Sequence, residues 1–226
     1  MENVKNRRNV IRFFGITLFT QAVTAIIGGS IFLGPFASSE ITSETLRKIN
    51  DSTTIAYSSI LLQMITAVVI IMLGVAMYVL GRHVNKIVAI VALSLYIFEA
   101  VLLSVAQVFA FGLVEVSHMF VSSADTNLFA IGEVLLASKS FAGEIAMIPF
   151  GIGAIMFYYL LLKAEILPKW LALWGLLTVP FILISVPLMS FGVNAPFFSL
   201  VPYVPFEFFT GLYVLVMNKK SHLISP

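Results

Sequence analysis

The segments YSSILLQMITAVVIIMLGVAMYVL (57–80), GRHVNK (81–86) and IVAIVALSLYIFEAVLLSVAQVFAFGL (87–113) run on from one another as two long apolar stretches around a short polar one. The two long segments contain neither Lys nor Arg, whereas the link between them holds Arg82 and Lys86. An apolar run of about 20 residues crosses a hydrocarbon core of roughly 30 Å as a helix. In lipid every backbone N–H and C=O needs a partner within the protein, so such a run must be helical. The expectation is two membrane-spanning helices joined by a short basic turn.

Working outward, four more runs read the same way: 13–36, 141–162, 170–189 and 197–217. At about 24 residues the first exceeds the 7–15 of a signal-peptide core, so it reads as a retained helix. Composition agrees. Of 226 residues 60% are hydrophobic and 11% charged, with a mean hydropathy of +1.04; a soluble domain is about 25% charged. The fold expected is an all-α polytopic membrane bundle, residues 1–226 forming one transmembrane domain of six helices. Two outer segments, 38–57 and 114–140, are expected to add short amphipathic helices at the membrane surface. In the first, Ile41, Leu46 and Ile49 lie near helical spacing behind Thr42 or Ser43 as N-cap. In the second, Leu128, Ile131, Val134 and Leu135 follow Asp125.

Charge sets the orientation. Lys5, Arg7, Arg8 and Arg12, the links 81–86 and 163–169, and Lys219 with Lys220 hold ten of the thirteen Lys and Arg. With six helices all four segments fall on one side, and the positive-inside rule makes that side, with both termini, cytoplasmic. Glu40, Glu44, Asp51, Glu115, Asp125 and Glu133 fall opposite.

Three carboxyls lie inside the expected spans: Glu99, Glu144 and Glu207. Glu99 follows Lys86 by 13 residues, about 20 Å of helix, which puts it near the bilayer centre. Glu207 reaches a similar depth; Glu144 lies near the outer interface. A charge at that depth costs at least about 2.5–3.5 kcal/mol, so such residues face the bundle interior. With no Lys or Arg in any span, each Glu must be protonated, hydrogen-bonded to a polar neighbour or bound to a cation. Gln63 (on a stripe with Ser59 and Thr66), Gln107, Tyr96 and Gln21 are candidate partners. Pro149, Pro202 and Pro205 stand beside these glutamates, and Pro180 and Pro187 lie in the fifth run. A proline inside a helix frees the carbonyl four residues earlier. Glutamates beside broken helices are features of ion and substrate sites in transporters. The candidate proton, ion or substrate site is therefore Glu99, Glu207, Gln63, Gln107 and Glu144, with helix breaks at Pro149, Pro202 and Pro205. Against it stands a purely structural role, since Glu–Gln hydrogen bonds also hold helices together.

Other chemistry is excluded or unsupported. Cysteine is absent, so disulfides and thiolate ligands are impossible. His83, His118 and His222 all lie outside the spans, which excludes an intramembrane bis-histidine haem. The spans contain no Asp for an aspartyl dyad and no Lys for a Schiff base. G-x-S-x-G, H-E-x-x-H and P-loop motifs are lacking. Glu115 and His118, with Glu133 or Asp125, make only a poor metal set, so no metal, cofactor or catalytic residue is assigned. No basic stripe supports nucleic-acid binding.

The second half resembles a bacterial family of six-pass membrane proteins, the domain-of-unknown-function family numbered forty-three eighty-six. The resemblance is carried by Phe150-Gly151-Ile152-Gly153, Tyr159-Leu160, Ile166-Leu167-Pro168-Lys169-Trp170-Leu171 and Gly175, then by Pro205-Phe206-Glu207 and Gly211-Leu212-Tyr213. The first half fits in layout. Family members often carry Tyr or His where this chain has Ala142-Gly143-Glu144. The resemblance implies the fold and a bacterial cytoplasmic membrane, and it carries over no catalytic residue. The lipid bilayer is the one partner expected outright. Three functions stay open: a non-catalytic component (sensor or partner subunit) with a membrane-protein partner, a proton- or cation-linked transporter using the mid-membrane glutamates, and an intramembrane enzyme. The first is the default, because absence of a site is the commoner outcome, and the lack of a recognisable catalytic constellation puts the enzyme last.

Overall fold

In the computed structural model residues 2–31, 40–190 and 203–220 are described, and among them the chain is helical with no strand. The helices are α1 (Glu2–Ile26), α2 (Ser43–Asp51), α3 (Thr53–Gly81), α4 (Lys86–Ser123), α5 (Leu128–Ile145), α6 (Met147–Lys163), α7 (Lys169–Ser190) and α8 (Tyr203–Lys220), with a π-helical turn, Ile27–Ile31, closing α1. Five stretches are long and apolar enough to cross a membrane: Asn6–Gly29, Thr53–Gly81, Lys86–Ser123, Leu128–Lys163 and Lys169–Val186. α8 is apolar over the shorter stretch Pro205–Met217. Outward faces are apolar too, with Leu61, Val108, Leu177 and Ile184 each at least 60% exposed. Such a surface belongs against lipid, because monomers in water rarely expose large contiguous apolar patches.

Several boundaries differ from hydropathy, each for a local reason. α1 begins at Glu2, carrying Arg7, Arg8 and Arg12 on helix ahead of the apolar run. α4 runs ten residues past Leu113, because Val114, Val116, Ser117 and Phe120 stay buried there at helical spacing. Its 38 residues make about 57 Å, well beyond a bilayer core. The run expected to start at Phe141 starts at Leu128, and α5 and α6 are separated only by Ala146. Pro149 accounts for that break. It has no N–H to offer the carbonyl of Ile145, the residue at which α5 ends. Pro205 acts differently. It lies in the first described turn of α8, which runs unbroken from Tyr203 to Lys220. α7 continues through Pro180 and Pro187. Pro202 lies outside the described residues, as do 32–36 and 197–202 of the first and last apolar runs.

Caps and turns follow residue chemistry. Thr42 caps α2, its hydroxyl accepting from the Thr45 N–H at 3.2 Å. Asn85 caps α4, its side-chain oxygen accepting from the Val88 N–H at 3.1 Å. Asp125 closes a local turn, accepting from the Asn127 N–H at 2.9 Å. α6 ends in a Schellman motif: the Ile166 N–H donates to the Leu161 carbonyl and the Glu165 N–H to that of Leu162. Glu165 takes the left-handed position with φ 54°, where glycine is usual.

Two apolar cores result. The larger includes Phe14, Met77, Tyr96, Phe157, Tyr158 and Phe206. The smaller gathers Leu46 and Ile49 of α2 against Leu113, Val114 and Phe120 of α4 and Leu128 of α5. α1 packs on α3 and α8, α4 on α3, α5 and α6, and α6 on α7. Close approach needs glycine at several points, two of them around α8. A Cβ on Gly211 would lie 2.9 Å from the backbone N of Phe19, where α8 crosses α1. A Cβ on Gly175 would meet the Phe206 ring at 2.6 Å, where α7 faces α8. Three of the four basic segments meet at one end. Asn6 and Arg7 of α1 share a cleft with Arg82 and His83, and the Arg7 guanidinium reaches the Ala164 carbonyl at 3.5 Å.

Candidate functional site

Glu99 and Glu207 line one cavity of about 350 Å³ in the bundle. Its polar wall is Gln21 (α1), Gln63 and Thr66 (α3), Glu99 (α4), and Tyr203 and Glu207 (α8). The remainder is apolar, chiefly Ile70, Leu103, Met147, Phe150, Ile182 and Val186. Every long helix except α5 contributes. Among the described residues no Lys or Arg lines it.

A second chamber of about 330 Å³ adjoins the first, sharing Gln63, Leu103, Met147 and Val186 with it. Its other polar walls are Gln107 of α4 and Lys139, Ser140 and Glu144 of α5. α5 supplies this wall of the second chamber, while α6 brings Phe150 to the first and Met147 to both. All five residues singled out from sequence therefore stand around two joined spaces: Glu99, Glu207 and Gln63 on the first, and Gln63, Gln107 and Glu144 on the second.

Hydrogen bonding separates the two deep carboxyls. Glu207 accepts from the Tyr203 hydroxyl at 2.7 Å and more loosely from Gln21 Nε2 at 3.4 and 3.5 Å. Tyr203 and Glu207 are one helical turn apart, the spacing that stacks side chains on one face. The Tyr203 hydroxyl also lies 3.3 Å from that of Tyr158. Its ring is held edge-on by Phe150, with centroids 5.3 Å apart. Glu99 is 3% exposed, and its Oε2 has no hydrogen-bond partner among the described residues. Gln21 is 8% exposed, and with its amide nitrogen facing Glu207 its Oε1 is likewise unpartnered. A buried polar atom left without a partner costs about 1–3 kcal/mol.

Other polar side chains are committed to the frame. Gln107 Nε2 donates to the Leu103 carbonyl at 3.3 Å, and the Thr66 hydroxyl to Thr24 and to the Leu62 carbonyl. Ser59 donates to the Gly28 carbonyl at 2.7 Å. Tyr96 packs against Phe157 and Phe150 and is not part of the cavity wall. On the outer side His118 Nε2 lies 3.1 Å from the Thr53 hydroxyl, and Glu115 accepts from Tyr57 at 3.2 Å. Neither joins a group of three metal-type ligands among the described residues.

Sequence reasoning did not select Tyr203, Tyr158, Lys139 or Ser140 for the site. Tyr203 was detectable, standing four residues before Glu207. Tyr158 carries no such signal, because only the packing of α6 on α8 brings it within reach.

Long apolar helices enclosing a partly polar chamber define a helical integral membrane protein. Residues 13–217 match the family described as "Domain of unknown function (DUF4386)", and the chain belongs to that family. No curated protein and no solved structure matches it.

Proposed function

We propose that this chain is a six-span protein of the bacterial cytoplasmic membrane, both termini cytoplasmic, which binds a proton-linked or cationic small molecule in its central cavity. α8 supplies the sixth span in this reading, and α2 with the α4–α5 connection forms the outer elements. The gathering of Arg7, Arg82 and His83 at one end supports the orientation. One observation carries the functional reading: the unpartnered oxygen of Glu99 belongs to a residue lining the cavity that Glu207 also lines. Two carboxyls that served only to hold helices together would be expected to find partners on neighbouring helices. Glu207 does so, and Glu99 Oε2 does not.

The test uses the purified full chain in liposomes. Dicyclohexylcarbodiimide, which partitions into lipid and reacts with carboxyls, should label Glu99, located by mass spectrometry. With a pH dye in the lumen, gradients of small amines, amino acids and sugars should include one that moves protons in wild type but not in Glu99→Gln or Glu207→Gln. An unlabelled Glu99, or solute-driven proton movement unchanged in both variants, sinks the reading. Tolerance of both substitutions together with a reproducibly co-purifying membrane protein would establish the non-catalytic partner-subunit alternative.

A further inference from the structure

The chemistry of the cavity wall narrows the ligand. Most of its donors are engaged, Tyr203 O–H and Gln21 Nε2 on Glu207 and the Thr66 hydroxyl with Thr24 and the Leu62 carbonyl, while the Gln63 amide offers the cavity both a donor and an acceptor. The buried wall atoms left without a partner among the described residues, Glu99 Oε2 and Gln21 Oε1, are oxygens on side chains more than nine-tenths buried. Unpartnered acceptors call for a hydrogen-bond donor, and a carboxylate is best matched by a positively charged one. With no Lys or Arg among the described wall residues, an anion would meet only like charge. A bare metal ion is a poor fit, since hard cations gather six or more oxygens and much of this wall is Ile, Leu, Met, Phe and Val. That apolar remainder suits an organic body, and about 350 Å³ lies at the small end of ligand pockets.

Resting on the reading of the cavity as a ligand site, we infer that it takes a compact protonated amine. The N–H bonds reach Glu99 and Gln21, and the hydrocarbon or aromatic body lies against Leu103, Met147, Phe150 and Ile182. Need for N–H donors, and not charge alone, makes the site selective for primary and secondary amines over quaternary ammonium.

The experiment titrates the full chain in lipid nanodiscs with 2-phenylethylamine, its N,N,N-trimethyl analogue, 2-phenylethanol and sodium chloride. Saturable heat of binding is expected for the amine, at least tenfold weaker for the trimethyl analogue and absent for the alcohol. Glu99→Gln should weaken amine binding at least tenfold. Because that variant could fold poorly, carbodiimide labelling of Glu99 in the unaltered protein gives a second readout, and the amine should slow it at least tenfold. Alcohol binding equal to the amine's, equal binding of the trimethyl analogue, or protection by sodium alone would overturn the ligand class. If Glu99 is labelled but no amine protects it, the amine is wrong and the cavity reading stands. If Glu99 is never labelled, the cavity reading itself fails.

Discussion

Replacing Tyr203 by Phe removes one oxygen and leaves the ring, which is held by Phe150 and Phe206 with centroids 5.3 and 5.6 Å away. The loss is therefore confined to hydrogen bonding. Glu207 forfeits its 2.7 Å donor and keeps only the long contacts from Gln21. A bond of this kind contributes about 1–3 kcal/mol net. The Tyr158 hydroxyl, buried and 3.3 Å from the deleted group, loses its partner as well, for a further cost of about 1 kcal/mol at that longer distance. The expected destabilisation is about 2–4 kcal/mol in total. Reversible unfolding in mild detergent measures it, and a double-mutant cycle with Tyr158→Phe apportions it. On the Tyr203→Phe background the Tyr158 substitution should be nearly neutral or even favourable, because it deletes a hydroxyl already orphaned. A loss below about 0.5 kcal/mol for Tyr203→Phe, or an equal cost of Tyr158→Phe on both backgrounds, would refute the reasoning.

Three further outcomes are expected. Gly175→Ala should lower stability by about 1–3 kcal/mol through overpacking, since Phe206 is fully buried against Tyr158 and Trp174 and cannot yield freely; adding Phe206→Leu should recover part of the loss in the same unfolding assay. Glu165→Gly should stabilise by about 1 kcal/mol, relieving a left-handed residue in the α6 cap, and an unchanged or lowered midpoint would argue against strain there. Leu46→Ala should cost about 2–5 kcal/mol in the smaller core, read by hydrogen exchange as faster exchange in α2 with little change in α6 and α7.

Helix type was legible from sequence because lipid permits few alternatives: apolar runs free of Lys and Arg, such as 57–80 and 87–113, had to be helical. Helix ends were less so. The outer turns of α4 carry Glu115, His118, Ser122 and Ser123, which lower hydropathy without lowering helicity, and only the burial of Val116 and Phe120 against neighbouring elements keeps them in the fold. The start of α5 was hidden for the same reason, since Leu128, Ile131, Val134 and Leu135 fit both a surface helix and the beginning of a long one. Polarity inside apolar runs singles out Glu99, Gln63, Gln107, Glu144 and Glu207 as the candidate site. Their arrangement around two chambers was not readable, because it depends on which helices pack together. Pro149 shows both sides: the residue announced a break, while the placing of Lys139, Ser140 and Glu144 on the adjoining chamber follows only from how the helices pack.

The cavity wall is assembled from six helices spread along the whole chain, and this has a consequence for synthesis. Glu99 enters the membrane with α4, yet Tyr203 and Glu207 emerge roughly 110 residues later, about 5–20 s at ordinary elongation rates. Throughout that interval the nascent chain carries a deep carboxyl whose enclosure is not yet built. Such a chain is a natural client for whatever shields polar groups during insertion, and one stopped before α8 would leave Glu99 facing a bundle with an open side.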